Sequence, residues 1–136
     1  MVSMKLPSKE ECIGYFNTYK VPTNIKRHCL KVAQVATFLA ENLKKTGFEI
    51  DVDVVNRVAL VHDLFKMVVI KNFGATKYHT HSEITEEQKV FWREMQKRYE
   101  GKYEGEVAYD VFKEEFPEFA LIVRNASNPR HQCEMW

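Results

Sequence analysis

The residues of this chain with the clearest chemical potential are the adjacent pair His62 and Asp63, which end an apolar run that begins at Val58. A neutral imidazole and an ionised carboxylate are both good ligands for a divalent cation. Lys66 follows His62 by four residues, which is about one helical turn. The pair is therefore either the centre of a metal site or a polar feature of a buried helix, and the surrounding sequence has to discriminate between these two.

The His–Asp pair is predicted to lie on a helix that runs from about Val52 to Met67, with Asp51 or Asp53 as its N-cap. Apolar residues recur there at helical spacing on the face that also carries His62. That face comprises Val55, Val58, Ala59, His62 and Phe65. Because the helix is apolar around most of its circumference, we expect it to be central, with His62 pointing into the core.

A second histidine, His28, lies on the preceding predicted helix, which runs from about Asn24 to Thr46 and is stopped by Gly47. Apolar residues recur along it at intervals of three and four. They are Ile25, Val32, Val35 or Ala36, Leu39 and Leu43. His28 falls on that stripe, so it is also expected to face the core. Two antiparallel helices would bring His28 towards Asp63, whose buried carboxylate needs a partner, and a metal ion would supply one.

The rest of the chain predicts further helices and no strand, so the predicted fold class is all-α. Capping boxes start two of the helices, at Ser8–Glu11 and Thr85–Gln88. These helices are expected to reach about Tyr19 and Glu100. An amphipathic helix is predicted around 107–116, and Pro117 is well placed to open the last one.

The composition favours a globular protein without a polyanionic partner. The net charge is +1, from 20 basic and 19 acidic residues, which argues against a protein that coats nucleic acid but allows a local phosphate site. The three cysteines Cys12, Cys29 and Cys133 are widely spaced and form no Cys-x-x-Cys motif, which favours a reduced compartment. No apolar stretch approaches 18 residues, so we expect a cytoplasmic protein with no membrane partner.

Two segments carry a resemblance to a known family. Residues 24–33, which contain His28, and residues 60–66, which contain His62, Asp63 and Lys66, resemble the first two motifs of the HD-domain superfamily of metal-dependent phosphohydrolases. The pattern is an early His, a His-Asp pair on the next helix, and often a Gly and a Lys after the pair. Residues 8–70 are most similar to small stand-alone HD proteins of prokaryotes. The resemblance implies a single HD-like domain over 1–136, built as a helical bundle of about five to seven helices.

The resemblance also implies a site. His28, His62 and Asp63 would bind one divalent metal ion (Mn, Fe, Ni, Zn, Co or Mg), which activates a water molecule against a phosphoester. Asp63 and Lys66 would be the catalytic residues, and Lys66 and Arg27 would contact the substrate. That substrate is expected to be a small phosphorylated molecule, most generally a nucleotide, and a homo-oligomer is compatible with the sequence. A simpler interpretation of Lys66 is a cation favoured by a helix C-terminus.

The second half of the chain departs from the family pattern. Phe65 stands where the family usually has Gly, which would narrow a pocket. Dinuclear relatives carry further His residues where this chain has Glu104 and Asn125–Ala126, so one metal ion is expected rather than two. Glu104 remains a candidate ligand, although its place in a predicted turn favours a solvated side chain.

Three further positions leave alternatives open. His79 and His81 lie in a predicted loop and either line the site or do not. The late Asp of the family comes after the segment that ends here at Trp136, so the last helix with this ligand either follows residue 136 or has been lost. Asp110 precedes the expected place and is not assigned as a ligand.

Two other functions compete with hydrolysis. The domain could be a catalytically impaired HD-fold module that binds a nucleotide or a protein partner, with the stretch from Phe91 and Trp92 to Tyr103 as its contact surface. In the other interpretation those aromatic residues belong to the core. The third possibility is an unrelated helical bundle in which the His-Asp pair has only a structural role.

Overall fold

The computed structural model describes residues 4–70 and 84–127, and within these ranges the chain forms six α-helices and no strand. The helices are α1 (Lys9–Thr18), α2 (Thr23–Lys45), α3 (Val52–Val61), α4 (Glu86–Arg98), α5 (Glu104–Phe112) and α6 (Pro117–Ala126). A short 3₁₀ turn, Lys66–Val68, follows α3. The all-α fold class is confirmed, and the six helices of the described residues fall within the expected range of five to seven. In the described part of the chain, no helix combines the length and apolar character needed to cross a membrane.

Local sequence signals explain where most helices begin. Both capping boxes form, with Ser8 starting α1 and Thr85 starting α4. The carboxylate of Asp51 accepts hydrogen bonds from the first backbone amides of α3, and Pro117 is the first residue of α6. The capping side chains accept hydrogen bonds from backbone amides that have no partner inside the helix. Pro117 has no amide hydrogen and therefore needs no such partner.

The core is an aromatic cluster that joins the two halves of the chain. Phe65 lies at its centre, with ring centroids 6.3 Å from Trp92 and 6.2 Å from Phe112, and Phe119 packs on Phe112 at 5.7 Å. Phe65 is fully buried and belongs to this core. Trp92 is fully buried as well, and its indole N–H donates to the Lys20 carbonyl at 3.0 Å. It therefore belongs to the core and not to a contact surface.

The buried face of α2 differs from the predicted apolar stripe. Four residues of α2 are buried, and most of them are small: Ile25, Cys29, Ala33 and Ala40. Of the predicted stripe, Ile25 is buried and Val32 and Ala36 pack against the core, whereas Leu39, Leu43 and the alternative Val35 are exposed. Small side chains let α3 approach closely, and this contact outweighs the larger apolar residues on the neighbouring face. His28 adjoins the buried Cys29, so it lies at the edge of the core and does not point into it.

Helix α3 is shorter than predicted, because it ends at Val61 and not at Met67. The next residues form tighter bonds between positions three apart, from the Leu64 amide to Val61 and from the Lys66 amide to Asp63, both at 3.1 Å. The side-chain amide of Gln96 on α4 donates to the Met67 carbonyl at 2.9 Å and holds this turn. The chain therefore changes direction where the His-Asp pair lies.

Helices α5 and α6 pack unusually closely at Gly105. A Cβ atom at this position would lie 2.7 Å from the Arg124 carbonyl oxygen and 3.2 Å from the Ser127 Cβ atom. Backbone atoms can move little, so only glycine allows this approach. Gly105 is the second residue of α5 and follows Glu104, so the close packing fixes the start of that helix.

We expect Gly105→Ala to destabilise the protein by about 1–3 kcal/mol, because the new methyl group overlaps the backbone of α6. The control is Gly14→Ala in α1, where a Cβ atom meets nothing within 4 Å. That change should stabilise the protein by up to about 1 kcal/mol, since Ala favours a helix over Gly. Urea unfolding of the two variants measures both effects, and equal effects would contradict the assigned packing.

Candidate metal centre

Two imidazoles converge on one carboxylate at the junction of α2 and α3. The Nε2 atom of His28 lies 3.1 Å from Oδ2 of Asp63, and the Nε2 atom of His62 lies 3.2 Å from the same oxygen. The two ring centroids are 5.5 Å apart. The side chains of His28, His62 and Asp63 are 47%, 25% and 16% exposed, so the cluster is open to solvent on the side of His28.

The end of α3 orients His62. Its Nδ1 atom lies 2.6 Å from the Ala59 carbonyl oxygen, so Nδ1 carries the proton and donates it to that oxygen. In the neutral ring Nε2 then carries the lone pair that faces Asp63, whereas in the protonated ring Nε2 donates a hydrogen bond to that carboxylate. The backbone carbonyl of His62 accepts a hydrogen bond from the Ser127 hydroxyl at 3.0 Å, which ties the pair to the end of α6.

The electrostatics of the cluster follow from burial and the opposite charges of its members. Burial alone would lower the pKa of His62, but the hydrogen bond and charge of Asp63 outweigh it, and the pKa of His62 is raised. Burial alone would raise the pKa of Asp63, but the hydrogen bond and charge of His62, with the charges of Lys66 and His28, lower that pKa. Asp63 is therefore an anion near neutral pH, as a metal ligand has to be.

The donor set fits a divalent cation. The three ligand atoms, two imidazole nitrogens and one carboxylate oxygen, lie within 4.8 Å of one another. Two atoms that each lie about 2.1 Å from one ion, at about 90° to each other, are about 3 Å apart, close to both observed nitrogen–oxygen distances. The hydrogen bond from His62 Nδ1 to Ala59 is the outer contact that a metal-bound histidine commonly makes. His28, His62 and Asp63 are thus the residues that could hold the ion.

The cysteine next to His28 is not a competing ligand in its described environment. Cys29 is fully buried, and burial, with the charge of Asp63, raises the pKa of its thiol to about 12. Its sulfur is not among the ligand atoms that lie within 4.8 Å of one another. The cluster therefore offers nitrogen and oxygen atoms.

Glu104 lies beside the cluster, against expectation. Its side chain is 14% exposed, and its Oε1 atom lies 3.7 Å from the Nζ atom of Lys66, which is 26% exposed. The other oxygen, Oε2, is buried and has no hydrogen-bond partner among the described residues. Burial raises the pKa of Glu104 to about 7, although the charge of Lys66 acts to lower it. The prediction that Glu104 lies solvated in a turn is therefore wrong.

The sequence contained a signal for the position of Glu104. It precedes Val107, Ala108 and Val111 by three, four and seven residues, so it shares the apolar face of α5. Extending the helix back to its true first residue would have placed the carboxylate on the core side. Ser127, by contrast, has no such signal, because its bond to the His62 carbonyl depends on how α6 docks.

The remaining candidates are placed as follows. Arg27 is exposed and adjoins His28 in α2. Asp110 is bound by the hydroxyl of Tyr99 at 2.6 Å and by Lys113 at 3.1 Å, away from the three ligands. Asn125 is an exposed residue near the end of α6. His79 and His81 lie outside the described residues, as do the residues after Ser127.

We expect Glu104→Gln to remove part of the pH dependence of stability in the metal-free protein. The folded pKa of Glu104 is about 7 against an ordinary value of 4.5, so folding retains a proton that the unfolded chain releases between these values. The proton on Glu104 contributes about 3 kcal/mol to the free energy of unfolding. This contribution is complete below pH 4.5 and is lost as the pH rises through 7. Urea unfolding from pH 5 to 8, with chelator present, measures the difference between variant and wild type.

The control for this prediction is Glu106→Gln, two residues further along α5. Glu106 pairs with Lys102 at 3.5 Å on a more exposed surface. Glu106→Gln should therefore change the pH dependence of the free energy of unfolding much less than Glu104→Gln does. The assignment of Glu104 as a buried carboxylate would be wrong if both variants gave the same slope.

One comparison with known proteins agrees with the composition of this site. The family model of the HD domain matches residues 25–130, a range that contains His28, His62, Asp63 and Lys66. No curated protein and no solved structure gave a match to the chain. HD domains form a superfamily of metal-dependent phosphohydrolases. Because the match extends from the first turn of α2 beyond the end of α6, the chain belongs to the HD-domain family.

Proposed function

We propose that this protein is a metal-dependent phosphohydrolase that acts on a nucleotide or another small phosphoester. The observation that carries the proposal is the convergence of the His28 and His62 Nε2 atoms on one oxygen of Asp63, at 3.1 and 3.2 Å, within an HD domain. A purely structural ion pair needs one histidine. Two histidines and a carboxylate with a solvent-open side form an incomplete ligand shell, as a catalytic metal site requires.

Three residues would hold one divalent ion in this proposal. His28 comes from α2, and His62 and Asp63 come from the end of α3, so the site depends on the packing of these two helices. A bound ion would supply Lewis acidity and a water molecule of lowered pKa. Asp63 stays ionised for this role, and the Ala59 carbonyl keeps the proton of His62 on Nδ1.

Lys66 is the proposed contact for a phosphate group of the substrate. It begins the 3₁₀ turn three residues after Asp63, and its charge acts on that carboxylate. An ammonium group close to the metal ligands is placed to bind an oxygen of the same phosphate that reacts. Arg27, exposed beside His28, is a second proposed contact on the solvent side.

The first prediction of this proposal concerns metal content. Protein purified without chelator should contain close to one equivalent of Mn, Fe, Ni, Zn or Co by elemental analysis. His62→Ala and Asp63→Asn should each weaken metal binding by more than about tenfold, because each removes a ligand. Asp110→Asn is the control, since Asp110 is engaged by Tyr99 and Lys113 and should leave the metal content unchanged.

The second prediction concerns activity. With Mn²⁺ supplied, the wild type should cleave nucleotides or a generic phosphoester, and His62→Ala should lower kcat/KM by about 100-fold or more. Lys66→Met should raise KM by about 10- to 100-fold, the range for a hydrogen bond to a charged group. Lys102→Met, which removes the cation of the exposed pair with Glu106, is the control and should change neither constant.

A negative result in both experiments would overturn the proposal. Protein that holds no metal and cleaves no phosphoester with Mn²⁺ present would instead support the interpretation as a non-catalytic HD module. Equilibrium binding of nucleotides to that protein would then be the measurement of interest.

A further inference from the structure

We propose that Glu104 is a positioning residue of this site, whose buried carboxylate holds the ammonium group of Lys66 beside the His–Asp cluster. The inference rests on the proposed function, because it assigns Lys66 to the substrate phosphate. It adds a residue from the second half of the chain to a site otherwise built from the first half.

The contact itself joins two mostly buried charges from different elements. Lys66 opens the 3₁₀ turn after α3, and Glu104 is the first residue of α5, with 3.7 Å between Nζ and Oε1. The close approach of α5 to α6 at Gly105 fixes the position of Glu104. The Ser127–His62 hydrogen bond fixes the end of α6 against the His-Asp pair. The carboxylate is thus held in place by the packing of α5 and α6.

Lys66 needs such a partner because its side chain is long and flexible. A lysine ammonium is a point charge on a four-carbon stem, and it takes its position from the charges around it. Asp63, three residues earlier, also attracts it, and the charge of Lys66 lowers the pKa of Asp63. Glu104 attracts the ammonium group away from Asp63, the carboxylate proposed to bind the metal. Glu104 therefore separates the cation from the metal ligand.

Packing alone does not explain a glutamate at this position. Its Oε2 atom is buried and lacks a hydrogen-bond partner among the described residues, which is unfavourable for any polar group and more so for a charged one. Glutamine has nearly the same shape and would avoid the burial of a charge. Glu104 thus lowers stability at neutral pH, and it contacts Lys66, the proposed substrate-binding cation. Residues that lower stability in this way are typical of functional sites.

Glu104 is not assigned as a metal ligand. The residues whose ligand atoms lie within 4.8 Å of one another are His28, His62 and Asp63, and Glu104 is not among them. Its nearer oxygen faces Lys66 instead. The role proposed here therefore acts through Lys66 and not through the ion.

The first test is a double-mutant cycle on the metal-free protein, which needs no activity. Lys66→Met should lower Tm by several degrees at pH 8, because it leaves the Glu104 carboxylate buried without its cation. Glu104→Gln should lower Tm little or raise it, and the double variant should recover most of the loss caused by Lys66→Met. The matched cycle of Lys102→Met and Glu106→Gln, on an exposed pair, should show no such recovery. If Lys66→Met lowered Tm equally in the wild type and in the Glu104→Gln background, the proposed contact would be overturned.

The second test separates positioning from metal binding and from stability. In Mn²⁺-loaded protein, Glu104→Gln should raise KM for the phosphoester and the Kd for inorganic phosphate by about three- to tenfold, with kcat changed less. In the Lys66→Met background it should add no further loss. Glu104→Asp, which keeps the charge on a shorter side chain, should give values between those of Glu104→Gln and the wild type.

The results distinguish failure of this inference from failure of the proposed function. If the wild type hydrolyses phosphoesters and Glu104→Gln matches it in both constants, the function stands and the inference is wrong. If Glu104→Gln weakens Mn²⁺ binding by more than about tenfold, as His62→Ala should, Glu104 is a ligand and the inference is also wrong. If the wild type binds no metal, the proposed function fails, and the double-mutant cycle still decides whether Glu104 holds Lys66.

Discussion

The close packing of α2 against α3 is the contact on which the rest of the site depends. Small residues of α2, among them Cys29 and Ala33, leave room for α3, so His28 reaches Asp63 across the interface. The side-chain amide of Asn56 donates to the Thr37 hydroxyl at 3.1 Å, and this bond fixes the relative position of the two helices. A shift of one turn between them would displace His28 by about 5 Å relative to Asp63 and take it out of reach of that carboxylate.

The early end of α3 gives the cluster its second constraint. A continuous helix would place His62 and Lys66 on one face, one turn apart. The 3₁₀ turn instead lets Phe65 enter the aromatic core while Lys66 faces the first residue of α5. The change of direction therefore has two effects. Phe65 fixes the turn to the core, and Lys66 contacts the second half of the chain at Glu104. The core accommodates the large side chain at position 65 through its contacts with Trp92 and Phe112.

The sequence predicted features that depend on local chemistry and missed those that depend on docking. Capping boxes at Ser8 and Thr85 located two helix starts, and the adjacency of His62 and Asp63 located the cluster. Leu39 and Leu43 of α2 are exposed against expectation, because periodicity identifies apolar positions without showing which of them a neighbouring helix covers. The burial of Glu104 and the bond from Ser127 arise only when α5 and α6 pack on the rest of the protein, and the apolar spacing around Glu104 indicates a face without indicating what covers it.

The hydrogen bond between Ser127 and His62 spans 65 positions of the chain, and this separation has a consequence for the order of folding. The two helices that carry the candidate metal ligands are neighbours in sequence, so their contact closes a short loop and should form early. Lys66 and Glu104 meet only after the distant hairpin of α5 and α6 has docked. In a nascent chain the proposed cation site would therefore form before the proposed phosphate contact.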